Sequence, residues 1–141
     1  MSPFHYAFKV SDLEATRSFY VQVLGCREGR SAPTWIDFDF FGHQLSAHLS
    51  GQVPQPDFCG QSDGVRVPIP HFGAVLRAEA FHRIRAALEA HAVAFVIAPY
   101  LRYPGGIGEQ WTMFFLDPSG NAIELKAPTA SDGLFAPDHK G

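Results

Sequence analysis

The stretch Gln110-Trp-Thr-Met-Phe-Phe-Leu-Asp-Pro-Ser-Gly-Asn-Ala-Ile-Glu-Leu125 decides how the chain is read. Two apolar runs of β character flank Asp117-Pro-Ser-Gly-Asn121, which is the punctuation of a hairpin with a slightly extended loop. Side chains alternate across a strand, so Ile123 and Leu125 share one face while Ala122, Glu124 and Lys126 take the other. A carboxylate in the middle of such a strand needs water, a cation or a metal. Glu124 is therefore the residue around which a site is sought.

The pattern occurs twice. A shift of about 76 positions lays Trp35 on Trp111, Phe38 on Phe114 and His48-Leu49 on Glu124-Leu125, so that a histidine answers the acid. A second shift of about 66 lays His5-Tyr-Ala-Phe-Lys-Val10 on His71-Phe-Gly-Ala-Val-Leu76, each followed by a helical pattern. The chain reads as two copies of one unit. The second copy carries roughly ten extra residues, which fall on the Gly- and Pro-rich stretch 99–109.

The first copy opens on a strand in which Phe4, Tyr6, Phe8 and Val10 alternate with His5, Ala7 and Lys9. Ser11-Asp-Leu-Glu14 reads as a capping box, and Leu13, Tyr20, Val23 and Leu24 follow at helical spacing until Gly25. Two strands are expected at 35–41 and 44–49, around Gly42-His43. Residues 51–70, rich in Gly, Pro, Gln and Asp, read as a connector. The second copy gives a strand at 71–77, a helix at 79–91, a short strand at 93–97 and the closing hairpin. The organisation is thus a first module over 1–50, the connector 51–70, a second module over 71–127 and a polar tail 128–141. The tail is expected to pack loosely or to serve a dimer contact. The fold class is α+β, with strand, helix and three strands in each module. In four strands the face toward the helices is apolar, and His5, His48, His71 and Glu124 all fall on the opposite face. Imidazoles with a carboxylate are what a borderline divalent metal prefers.

With 141 residues and 46% hydrophobic content the chain can bury a substantial core, although each half alone would be marginal. Net charge is -3 and no Lys/Arg run could track phosphates, so neither nucleic acid nor an anionic membrane is an expected partner. No charged leader with an apolar stretch and no run of membrane length is present, and a soluble cytoplasmic protein is expected. Cys26 and Cys59 lack metal-type spacing and read as reduced thiols. His43, His82 and His91 read as surface histidines, and His139 belongs to the tail.

Taken together, His5-x-x-x-x-Val-Ser-Asp-Leu…Phe-Tyr…Val-Leu-Gly25, His71-Phe-Gly and Asp117-Pro-Ser-Gly-Asn-x-x-Glu-Leu125 resemble the vicinal-oxygen-chelate superfamily, over nearly the whole chain. That group contains glyoxalase I, bleomycin-resistance proteins, fosfomycin-resistance transferases and type I extradiol dioxygenases. The stretch Trp35-Ile-Asp-Phe-Asp-Phe-Phe-Gly-His-Gln-Leu-x-Ala-His-Leu49 looks most like a bacterial group described as predicted extradiol-type dioxygenases. The resemblance implies paired βαβββ modules whose sheets form a cleft around one divalent metal, with His5, His48, His71 and Glu124 as ligands. It implies chelation of two neighbouring substrate oxygens, and a homodimer in which modules pair within a chain or swap between chains.

Extradiol enzymes resemble the set His5, His71 and Glu124, which favours iron(II), with zinc, nickel or manganese as alternatives. Glyoxalase I would place a carboxylate where this chain has His48, so the isomerase reading is second. His48 reads as fourth ligand, as partner to a ligand, or as an acid/base group beside a small catechol-like substrate. Fosfomycin-type transferases share a His-His-Glu set. A third class, non-catalytic drug-binding proteins, usually lacks the full set. Arg102 and Tyr103 in the 99–109 insertion, with Trp35 and Trp111 as walls, are the candidate substrate contacts; Arg102 suits a carboxylate.

Overall fold

The computed structural model describes residues 2–137 and resolves them into two units. One runs through Gln55 and takes in Asp117–Asn121; the other covers Pro56–Leu116 and resumes at Ala122. Of the tail, His139 lies outside the described residues.

The first unit contains β1 (His5–Val10), α1 (Leu13–Ser18), one π-helical turn (Phe19–Val23), β2 (Arg27–Ala32), β3 (Trp35–Phe40) and β4 (His43–Leu49). Its sheet has the order β1-β4-β3-β2, with β1 parallel to β4 and the other pairs antiparallel. The helix cap differs from the expected box. Asp12 is the N-cap and accepts from Ala15 N at 3.0 Å, while Glu14 pairs with Arg17 instead of reaching back. Ser11 is turned to Ser119 instead, its N–H donating to Ser119 Oγ at 2.9 Å and its own Oγ 3.3 Å from the same atom. The π turn, closed by Leu24 N to Phe19 O, turns both Phe19 and Tyr20 inward. Tyr20 stacks on Phe38 with centroids 5.1 Å apart and donates its hydroxyl to Asp117 Oδ2 at 2.9 Å. That bond satisfies a phenol that is otherwise fully buried among Phe8, Phe38 and Phe40. Cys26 is a free, buried thiol whose pKa burial pushes up to about 12, which makes it a poor nucleophile. Cys59 is free and exposed.

The second unit begins with a hairpin, β5 (Asp57–Ser62) and β6 (Val65–Ile69), where the sequence predicts only a connector. The signal was Asp63-Gly64: both have positive φ, 53° and 72°, the two-residue turn whose twist matches its strands. There follow β7 (His71–Val75), α2 (Ala78–Ala90), β8 (Phe95–Arg102), β9 (Gln110–Leu116) and β10 (Ala122–Pro128) in a sheet of order β7-β10-β9-β8. β10 runs parallel to β7 and antiparallel to β9. Phe81, Ile84 and Leu88 of α2 are buried, as are Met113, Phe115, Ile123, Leu125 and Ala127 on one face of the sheet. β8 extends through Pro99 to Arg102, beyond the expected 93–97. It is an edge strand with a register shift between Ile97 and Tyr100, a setting that tolerates a residue without an N–H. Among the described residues no helix is long and apolar enough to cross a membrane.

Candidate functional site

In the second unit the residues opposite the α2 face do gather around Glu124. His71 pairs with Ala122 and Gly73 with Glu124, so His71 and Glu124 sit diagonally on one face. Glu124, only 5% exposed, places Oε1 3.2 Å from His71 Nε2. Its Oε2 accepts from Thr112 Oγ1 at 2.6 Å. Lys126 Nζ and Arg102 Nη1 each stand 3.8 Å from a carboxylate oxygen. Burial alone would raise the Glu124 pKa, but the His71 bond, Lys126, Thr112 and Arg102 outweigh it and hold the group below its ordinary 4.5. His71 is lifted above 6.5, first by its bond to Glu124 and also by its bond to Pro68, against burial.

His71 Nδ1 lies 2.7 Å from the Pro68 carbonyl, an acceptor only, so Nδ1 carries the proton and Nε2 presents its lone pair. A lone pair facing a carboxylate oxygen needs a cation between them, either a proton or a metal ion.

In the first unit the open face carries a polar chain that centres on Asp37, a residue the sequence reading passed over. Asp37 is 8% exposed, accepts from Ser46 Oγ at 2.6 Å and from Gln44 Nε2 at 3.4 Å. A carboxylate accepts only, so the Gln44 amide must turn Nε2 toward Asp37 and Oε1 toward His5 Nδ1, 2.8 Å away. His5 therefore also keeps Nδ1–H engaged and Nε2 free. The signal for Asp37 was its parity, since Asp37 and Asp39 interrupt Ile36, Phe38 and Phe40 at a period of two. A shallow cleft of about 380 Å³ borders this chain, lined by Gly29, Arg30, Asp37, Asp39, His43 and Gln44.

The register of the two sheets corrects the internal match. His5 pairs with Gln44 and Ala7 with Ser46, as His71 pairs with Ala122 and Gly73 with Glu124. The counterpart of Glu124 is thus Ser46, and that of Lys126 is His48, two residues beyond the expected position. The slip preserved parity, which is why periodicity did not expose it. His48 is exposed, lies opposite Lys9 and Trp35, and has its ring 6.4 Å from Trp35. It stands four residues along the ladder from the pair of His5, about 13 Å at a strand's rise. Side chains on one sheet face project roughly in parallel, so His5 and His48 do not converge.

Trp111, expected as a cleft wall, lies on the opposite face of its strand from Thr112 and packs on α2, its ring 5.1 Å from His82 and 6.4 Å from Phe81. His82 is accordingly half-buried rather than a plain surface histidine. His43 accepts from Phe4 N at 2.7 Å. Arg102, expected in a loop, ends β8 and is 5% exposed; Tyr103 follows it with φ 53°.

The glyoxalase/bleomycin resistance protein/dioxygenase superfamily model matches residues 2–125. The chain belongs to this superfamily. A glyoxalase/bleomycin resistance protein/dioxygenase from Alicyclobacillus acidocaldarius is 30% identical, with 95% of this chain and 96% of that one covered and a TM-score of 0.79. The fosfomycin resistance protein FosX from Listeria monocytogenes is 18% identical over 95% of this chain and 98% of its own, with a TM-score of 0.71. A glyoxalase/dioxygenase from Nostoc punctiforme is 19% identical over 92% of each chain, with a TM-score of 0.67. At those identities the last two show the superfamily fold alone. Both repeated modules lie within that fold, and the superfamily is one that includes enzymes.

Among the described residues no three His, Cys, Asp or Glu side chains gather at one point. The second unit offers two, His71 and Glu124, and the proton that joins them when no metal does has a testable signature. A raised His71 pKa contributes stability that is present below 6.5 and lost as pH rises through the folded value. A lowered Glu124 pKa contributes stability present above 4.5 and lost as pH falls through the folded value. In metal-free protein the pair should therefore stabilise most between pH 4.5 and 6.5. The measurement is the melting temperature of parent minus His71→Asn across pH. A difference that stays flat from weak acid to pH 8 would show that no such ion pair forms.

Proposed function

We propose that this protein is a metal-dependent oxidoreductase of the extradiol-dioxygenase type, acting on a small catechol-like aromatic, with His5, His71 and Glu124 as metal ligands. The observation that carries the reading is the shared tautomer: His71 through Pro68, and His5 through Gln44 and Asp37, each tie up Nδ1–H and leave the Nε2 lone pair to a metal. Metal-binding histidines are held in this way, with the outer nitrogen hydrogen-bonded to fix the ring. Two imidazoles and a carboxylate fit a divalent ion of borderline character, iron(II) in the first place and zinc, nickel or manganese otherwise.

Bound there, the ion would hold two neighbouring substrate oxygens and stabilise the negative charge that develops on them. The chain's own groups do the rest. Thr112 fixes the Glu124 carboxylate through Oε2 and leaves Oε1 toward the His71 nitrogen. Lys126, beside Oε1, offers a positive charge to an ionised substrate hydroxyl. His48, about 13 Å along the ladder from the pair of His5, is given no part at the metal, neither as a fourth ligand nor as a base.

The second reading, a glyoxalase- or fosfomycin-type reaction on an anionic substrate, is favoured by one feature, the two cations that flank Glu124. One experiment separates them. Metal content after anaerobic purification is measured, followed by oxygen uptake with catechols and hydroquinones. Stoichiometric iron with catechol-dependent uptake supports the dioxygenase. Zinc, nickel or manganese without uptake moves the assignment to the second reading, and no metal at all leaves a binding protein.

A further inference from the structure

On the face that carries Glu124, Arg102 and Gln110 stand directly opposite each other across β8 and β9. Both side chains are more than nine-tenths buried, at 5% and 8% exposure. Arg102 uses Nε to donate to Tyr100 Oη at 3.2 Å and directs Nη1 toward Glu124 at 3.8 Å, but its Nη2 has no hydrogen-bond partner among the described residues. Gln110 donates Nε2 to the Gly108 carbonyl at 3.2 Å, and its Oε1 also has no partner among the described residues. A buried donor on a charged group and a buried acceptor, on residues paired across one rung of the ladder, are each costly when left open, and a native fold rarely keeps either without a ligand or water.

The two openings are complementary in kind. Nη2 calls for an acceptor, and as part of a guanidinium it favours an anionic one. Oε1 calls for a donor. Charge points the same way, because the lone Glu124 carboxylate lies between Arg102 and Lys126 and leaves these three groups with an excess positive charge. The guanidinium carbon lies 5.8 Å from the Tyr100 ring and 5.9 Å from the Tyr103 ring, so the flanking surface is aromatic.

We propose that Arg102 and Gln110 form a recognition subsite for an aromatic hydroxy acid, with the carboxylate on Arg102 Nη2 and a ring hydroxyl donated to Gln110 Oε1. That the acid is a substrate rests on the metal-enzyme reading; the subsite itself is a property of these two side chains. The 103–109 loop connects β8 to β9, directly after Arg102 and before Gln110, and is the segment that entry would displace. That loop is held by its own turns, Gly106 N to Tyr103 O, Glu109 N to Gly106 O and Gly105 N to Glu109 Oε2, and through Thr129.

The test is calorimetric titration of the chelator-treated full chain with 3-hydroxybenzoate, benzoate and phenol, so that no metal is needed for the readout. The expected order is 3-hydroxybenzoate first, benzoate about tenfold weaker, and phenol weaker still. Arg102→Met should weaken both acids by more than about tenfold, and Arg102→Lys, which keeps charge without the fork, serves if the first variant fails to fold. Gln110→Leu should leave benzoate unchanged and erase the preference for the hydroxyl. If a water serves the two atoms instead, no acid binds at millimolar concentration and the proposal falls. It falls equally if the acids bind Arg102→Lys as they bind the parent. Acid binding without any metal in the purified protein would sink the enzyme reading and keep the subsite, while metal without acid binding would do the reverse.

Discussion

Replacing Gly73 by alanine is expected to cost more than about 3 kcal/mol and to lower the melting temperature by about 10 °C. A Cβ built on Gly73 would overlap the carbonyl oxygen of Glu124 and lie 2.6 Å from its carbonyl carbon and 3.2 Å from its nitrogen. All three are backbone atoms of the residue paired with Gly73 in the parallel ladder, so no rotamer change relieves the clash. β7 must move away from β10. The same movement separates His71 from Glu124, because they are anchored on either side of that pair. Loss of stability and loss of metal should therefore arrive together. Gly51→Ala is the control, since nothing among the described residues lies within 4 Å of its added carbon and it should melt within about 0.5 kcal/mol of the parent. A Gly73→Ala protein that melts with the parent would mean that the strands are not in this register.

Removing the Glu124 carboxylate is the second large effect. Glu124→Gln keeps the volume and an oxygen for Thr112, and should fold while its affinity for iron(II) or zinc falls by more than about 100-fold, since loss of even a group supporting a ligand costs 10–100-fold. Glu124→Ala goes further. It strips the buried Arg102 of its nearest anion, a change in the range of about 3–5 kcal/mol when an ion pair loses one member inside a protein. Equilibrium metal titration reads the first variant and thermal melting the second. Metal affinity that survives Glu124→Gln would remove Glu124 from the ligand set. Mixing Glu124→Ala with His5→Ala chains then asks which chain supplies His5: recovered metal binding means a ligand set drawn from two copies, and none means a set drawn from one.

Much of this molecule is written locally. The alternation in Phe4–Val10, Trp35–Phe40, His71–Arg77 and Gln110–Leu125 is enough to predict strands, to predict which face packs on a helix, and to place His5, His71 and Glu124 on the other face. The hairpin at Asp117 and the helix at Ala78–Ala90 follow from turn chemistry and from a 3.6-residue period, both properties of neighbouring residues. β2 is a different case. Arg27–Ala32 has no apolar face, and it is a strand because β3 offers it an unpaired edge.

What the sequence alone determined is parity: which side chains share a face, and hence which residue types meet a common environment. Register comes from the assembled sheets, because hydrogen-bond ladders between distant segments set it and a slip of two leaves every parity intact. That is how Ser46 takes the place expected of His48. Trp111 is a case of parity: it pairs with Ala127, on the face that packs against α2. Pairing across strands also joins Gln44 to Asp37 and sets Arg102 opposite Gln110, contacts that no local pattern encodes.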